Sequence, residues 1–250
     1  MVETPGYIIC TSPRSGSTLL CRMLAECGAG DPESLFYARD MAGWAKGLDV
    51  PRQDDQTRWM EAICAAAVAK GRGDTPVFGL RQQASSFPAL CGALGETYPD
   101  EAIDLTRLTR ALGPLKFVYL RRDDKLRQAV SLCRAMSSGV WHVNHDGSDY
   151  ERLPPSDPNA LNVDEITMQV QILQGYDAAW NNWFAGQGIT PLILHYETLA
   201  EDPIATLTQV LDFLGMPASA SKRVTPPLKK LSDEATEAWV TRMQTAQIRS

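Results

Sequence analysis

The chain has 250 residues, 44% hydrophobic and 22% charged, with a formal net charge of −6. That length supports one α/β domain with a sizeable core, and the composition is that of a soluble globular protein. The acidic balance, with no Lys/Arg run, argues against a nucleic-acid partner, so any anionic ligand must be held by local positive charge.

Tyr7 to Cys10 is a short apolar run suited to one buried strand. It leads through Thr11-Ser-Pro-Arg-Ser-Gly-Ser-Thr18 into the helical spacing of Leu19, Leu20, Met23 and Leu24. Such a turn aims the free N–H groups of the first helical turn outward, together with the positive end of the helix dipole. Arg14 adds a full charge, Gly16 permits close backbone approach, and the serines and Thr18 offer further donors. The pattern predicts an anion cradle for a phosphate. It is not G-x-x-x-x-G-K-[ST], because Thr11 and Ser17 stand where a glycine and the lysine belong. The plainer alternative is a helix capped by Ser15 or Ser17.

Gly30 and Pro32 end the first helix, and Asp31 and Glu33 place two carboxylates just beyond it. Such groups either complement a helix start or accept a proton from a hydroxyl. A helix is expected over 55–70, a strand over 76–80 ending at Arg81, and a helix over 84–94. Leu115 to Leu120 is a second clear buried strand, running through Arg121, Arg122, Asp123 and Asp124 into a helix that carries Ser131. Arginines at the C-terminal end of a buried strand lie where open α/β sheets bind ligands. The alternative is surface pairing of Arg121 and Arg122 with the two aspartates. Residues 137–162 show neither helical nor strand period, which predicts a functional or a mobile loop. Its Trp141, His142 and His145 suit an acceptor pocket, and the histidines lack companion metal ligands at good spacing. A helix over 164–185, a strand over 190–196 and a helix over 204–214 follow. A basic loop over 226–233 with Lys229 and Lys230, and a last helix capped by Ser232, complete the chain.

The six cysteines form no C-x-x-C pair, which predicts reduced, buried thiols in a cytoplasmic protein without zinc or disulfides. Met1 to Pro5 lack the pattern of a signal peptide, and no apolar stretch is long enough to span a bilayer. No repeat or linker interrupts the chain, so a single domain over 1–250 is expected, with an acceptor-side loop at about 137–162. Alternating strands and helices predict an α/β fold with a mostly parallel central sheet flanked by helices. Two Arg/Ser turns and a third basic loop suit a nucleotide phosphorylated at two positions.

These segments resemble a known family. Thr11 to Thr18 is similar to the loop by which sulfotransferases grip the 5′-phosphosulfate of 3′-phosphoadenosine-5′-phosphosulfate, and Val118 to Ser131 to the segment that binds its 3′-phosphate. Gly30-Asp-Pro-Glu-Ser-Leu-Phe36, Phe78-Gly-Leu-Arg81, Gly139-Val-Trp-His142 and the stretch from Leu228 resemble the bacterial trehalose sulfotransferase group. The resemblance implies a P-loop-like sulfotransferase fold and transfer of a sulfuryl group to a carbohydrate or glycolipid hydroxyl, without a metal. It implies that Arg14 touches the sulfuryl group and that Ser15, Gly16, Ser17 and Thr18 hold the 5′-phosphate. Arg122 and Ser131 would take the 3′-phosphate, with Lys229 and Lys230 closing over the nucleotide. Ser34, Phe36, Arg81, Trp141 and His142 would face the acceptor. Relatives of this kind also suggest a homodimer. The trehalose enzymes carry a glutamate at the position of Ser34, so the base is expected at Glu33, with His142, His145 and Asp31 as alternatives. Two rival readings are a Mg²⁺-dependent kinase, disfavoured by the missing lysine, and a non-catalytic nucleotide-binding protein, favoured by Ser34.

Overall fold

A strand buried on both faces needs cover on both sides, and β1 (Gly6–Thr11) is buried along its whole length. The computed structural model describes residues 6–143, 148–226 and 234–248. After β1 come α1 (Ser17–Glu26), α2 (Met41–Gly47), α3 (Gln56–Arg72) and β2 (Gly79–Gln83). The chain continues through α4 (Phe87–Thr97), α5 (Asp104–Leu112), β3 (Leu115–Arg121) and α6 (Lys125–Ser138). A hairpin of β4 (Val140–Val143) and β5 (Asp149–Arg152) precedes α7 (Val163–Gln187), β6 (Leu192–His195), α8 (Tyr196–Glu201), α9 (Pro203–Leu214) and α10 (Glu234–Ile248).

The central sheet has the order β2-β1-β3-β6 and every pairing is parallel. Alternation along β1 divides the core. Ile8 and Cys10 join Leu80, Phe117 and Tyr119 under α3, α4 and α7, while Tyr7 and Ile9 join Val118, Leu120 and Leu194 under α1 and α9. Each fully buried Ile or Leu contributes on the order of 1.5–3 kcal/mol. A smaller cluster of Ala129, Cys133, Ile166, Leu173, Val240 and Met243 fastens α6, α7 and α10 together. None of the six cysteines is bridged, and four of them are buried. Among the described residues no helix is long and apolar enough to cross a membrane.

Several elements differ from expectation. The second strand is Gly79–Gln83 rather than 76–80. Its apolar lead-in, Val77 and Phe78, is buried, but the ladder proper runs into Gln82 and Gln83, polar residues that are buried all the same. Gly79 is there because of close approach: a Cβ would lie 2.7 Å from the Tyr7 hydroxyl and 3.0 Å from Pro32. Gly79→Ala is expected to destabilise the domain by about 1–3 kcal/mol through overpacking, lowering Tm by about 2–4 °C per kcal/mol in a thermal melt. The segment 137–162 is not structureless, because it holds the antiparallel β4–β5 hairpin, whose register shifts at His142. The short helices α2, α5 and α8 also lacked a legible signal. His145, Lys229, Lys230, Ser232 and the side chain of His142 lie outside the described residues.

Candidate functional site

In a parallel sheet all strand C-termini share one edge, and there the turns after β1 and β3 meet. The β1–α1 loop is built from within. The Thr11 hydroxyl donates to the Leu120 carbonyl (2.9 Å) and shares a 2.5 Å hydrogen bond with the Ser15 hydroxyl. Gln128 of α6, wholly buried, donates to Ser12 Oγ (3.0 Å) and to the Pro13 carbonyl (2.6 Å), and Trp180 Nε1 of α7 donates to the Thr11 carbonyl. Arg14 and Gly16 both take left-handed backbone angles, φ 63° and 84°. For Arg14 this costs on the order of 1–3 kcal/mol, borne by the fixed loop around it. At Gly16 a Cβ would lie 2.9 Å from the Tyr196 ring.

The start of α1 has no side-chain cap and no acidic residue in its first turn, unlike α3, α6 and α7, which are capped by Asp55, Asp124 and Asn162. Ser15 and Ser17 therefore do not cap the helix, and its first N–H groups face the loop unclaimed by a side chain. Ser15 is fully buried with its hydroxyl turned to Thr11, so only its backbone can serve a ligand.

Two guanidiniums close over this amide cluster. Arg14 Nε donates to Ser131 Oγ at 3.0 Å and its Nη1 to the Trp141 carbonyl. Arg122, 7% exposed, donates to the Arg14 carbonyl (3.3 Å) and lies 4.2 Å over the Tyr196 ring. Its Nε is buried with no hydrogen-bond partner among the described residues. Burial, and after it the neighbouring Arg122 charge, push the Arg14 guanidinium down to about 10. Burial lowers Arg122 as well. Neither has a carboxylate at ion-pair distance among the described residues, whereas Arg121 pairs with Asp123 at 3.0 Å. Two desolvated like charges beside uncapped amides are costly unless an anion completes them. Ser131 meets Arg14 directly rather than Arg122.

Across the cavity, Arg81 Nε donates to Ser34 Oγ and its Nη1 to Thr18 Oγ1, both at 2.8 Å, tying the segment after α1 to the loop. Glu33 makes a parallel bridge to Leu80 through its backbone, and its half-exposed side chain pairs with Lys70 at 3.3 Å. Asp31 lines only a smaller adjoining cavity of about 340 Å³, and burial, then Glu33, raises its carboxyl above the usual range. Phe36 is a correction: its ring is fully buried, edge-on to Trp44 at 5.4 Å, so it belongs to the core and offers a ligand no face.

The main cavity, about 630 Å³, brings the loop, Arg122, Ser131, Ser34, Arg81 and Trp141 together. That volume suits a ligand of nucleotide size with room beside it. Sequence reasoning missed Lys70, Gln83, Glu151 and Tyr196 on its walls. The first three sit in segments with no motif, while Tyr196 begins a noted motif without an assigned role.

Two guanidiniums, one half-buried and one buried, at the strand ends of a parallel sheet are an arrangement suited to an anionic ligand in an α/β protein. Comparison narrows the class: residues 6–246 match the family described as Stf0 sulphotransferase. The chain belongs to this family and is a sulfotransferase. It is 25% identical over 274 residues to trehalose 2-sulfotransferase of Mycobacterium tuberculosis (strain ATCC 35801 / TMC 107 / Erdman), covering 94% of this chain and 93% of that protein. It is 25% identical over 264 residues to trehalose 2-sulfotransferase of Mycolicibacterium smegmatis (strain ATCC 700084 / mc(2)155), with the same coverage. Among solved structures, a sulfotransferase from Alicyclobacillus acidocaldarius superposes with a TM-score of 0.46 at 14% identity, covering 98% of this chain and 96% of that one.

Proposed function

We propose that the protein transfers a sulfuryl group from 3′-phosphoadenosine-5′-phosphosulfate to a hydroxyl of a carbohydrate or glycolipid. One observation carries the reading: half-buried Arg14 and buried Arg122, with no carboxylate at ion-pair distance and no partner for Arg122 Nε among the described residues, beside the uncapped start of α1. These groups fit a donor with two separated phosphate positions. The donor supplies an activated sulfuryl group on a phosphate leaving group. Arg14 and the loop amides stabilise the charge that gathers on the leaving oxygen. Arg122 binds the second phosphate, and its stack on Tyr196 fixes the guanidinium plane. Arg81, held by Ser34 and Thr18, orients the acceptor beside the loop. The acceptor class is supported by the mycobacterial relatives, which are named for trehalose.

A thermal-shift series tests the donor. Adenosine 3′,5′-bisphosphate at about 100 times its Kd adds roughly 2.7 kcal/mol of stability, an expected rise of about 5–11 °C for a domain of this size. 5′-AMP, lacking the second phosphate, should shift Tm less. A shift produced only by ATP with Mg²⁺ would favour a kinase, and none with any of the three a non-catalytic protein.

A further inference from the structure

A buried guanidinium reaches an anion only where its backbone aims it, and the backbone of Arg122 is gripped by the corner that follows β6. We infer that Glu197 is a positioning residue: by holding the turn after β3 it aims Arg122 at the second phosphate, and so sets the preference for a nucleotide phosphorylated at two positions. This inference rests on the role proposed above for Arg122.

Three consecutive residues of one corner meet three of the other. Parallel pairing sets His195, the last residue of β6, beside Arg121, the last of β3, so the two chains leave the sheet edge together. His195 Nδ1 lies 2.7 Å from an Asp123 carboxylate oxygen, a half-exposed pair that adds little by itself. Tyr196 carries the Arg122 guanidinium 4.2 Å over its ring. Glu197 Oε1 accepts from the backbone N–H groups of Asp123 (3.1 Å) and Asp124 (3.2 Å), and Oε2 accepts from Asp123 N–H at 3.3 Å. The first of these N–H groups belongs to the same peptide unit as the Arg122 carbonyl, which accepts from Lys125 Nζ. That planar unit is therefore held at both ends, by a carboxylate on its N–H and an ammonium on its oxygen. Its orientation sets the backbone angle of Arg122, and with it the direction in which the side chain leaves the turn. Arg122 is 7% exposed, with no partner for its Nε among the described residues, so the side chain has little room to search for a ligand. The backbone must place it.

Charge alone would give Glu197 the opposite effect. A carboxylate on the turn next to Arg122 repels an arriving phosphate, so removing it would tighten binding. Positioning predicts weaker binding.

Calorimetric titration of the full chain with adenosine 3′,5′-bisphosphate and with 5′-AMP separates the two. Glu197→Ala is expected to weaken bisphosphate binding by about 5–50-fold, while affinity for 5′-AMP, held by the β1–α1 loop, stays within a few-fold of wild type and shows that the variant is folded. Glu197→Asp keeps the charge but falls short of the two amides, and should behave like Glu197→Ala. Glu197→Gln loses the charge but keeps an acceptor oxygen in reach, and should bind the bisphosphate at least nearly as tightly as wild type. In an Arg122→Ala background Glu197→Ala should cost nothing further, because its effect passes through Arg122. Unchanged or tighter bisphosphate binding by Glu197→Ala, equal weakening of both nucleotides, or additive losses in the double variant overturns the assignment alone. A wild-type chain that binds 5′-AMP as tightly as the bisphosphate overturns it together with the role of Arg122, and the wild-type titrations tell the two failures apart.

Discussion

Arg122→Ala is expected to weaken binding of adenosine 3′,5′-bisphosphate by about 10²–10⁴-fold, and Arg14→Ala by a similar factor. Each guanidinium can give an anion two charge-assisted hydrogen bonds of about 1.5–3 kcal/mol apiece, and both are already desolvated, so little is lost when the ligand arrives. The ligand-free melting temperature should behave in the opposite way. Burial and mutual repulsion work against both charges before a ligand binds, so removing either one relieves the other. The expected pattern is thus a Tm close to wild type combined with a bisphosphate-induced rise that nearly vanishes. Calorimetric titration alongside a melt reads both quantities, and unchanged affinity in either variant would show that the anion is held elsewhere.

The largest effect on stability is expected from Lys125→Met. Lys125 pairs with Asp177 of α7 at 2.6 Å, with both side chains 11% exposed. It also donates to the Arg122 carbonyl and to Gln128 Oε1 (3.2 Å), so one ammonium ties α6 to α7 and steadies the residue that holds the β1–α1 loop. Breaking a buried pair strands the remaining charge, at a cost of about 3–5 kcal/mol. For a domain of this size that is a fall in Tm of roughly 6–20 °C. The double variant Lys125→Met with Asp177→Leu strands no charge and should recover most of the loss. A thermal melt of the three proteins decides the matter: a single variant no worse than the double one would mean that the pair is not coupled.

How much of this was legible beforehand depended on whether a segment's role was local. The β1–α1 loop could be read because its chemistry lies within eight consecutive residues, Thr11 to Thr18, and the turn after β3 because two arginines follow an apolar strand. Phe36 was misplaced because a motif position does not tell which way a side chain points, and here tertiary packing turns the ring onto Trp44. The β4–β5 hairpin was read as a loop because two four-residue strands, one of them Asp-Tyr-Glu-Arg, give no alternation to detect. Gln83 and Lys70 reach the cavity only through sheet order and helix packing, which no single segment encodes. The shift of β2 has the same origin: parallel pairing with β1, rather than apolar content, decides which residues join the ladder.

The parallel sheet also decides when the site can exist. Thr11 bonds to a carbonyl 109 residues further along the chain, and Arg14 reaches Ser131 and Trp141 at separations of 117 and 127. Closures of that length cost chain entropy before any contact repays it, so folding is slow and the cradle assembles only with the whole sheet. No excised piece of the polypeptide will therefore retain affinity for the bisphosphate. A ligand that spans Arg14 and Arg122 acts as a staple between distant stretches of sequence, and it should slow amide exchange along β1 and β3 together rather than in the loop it touches.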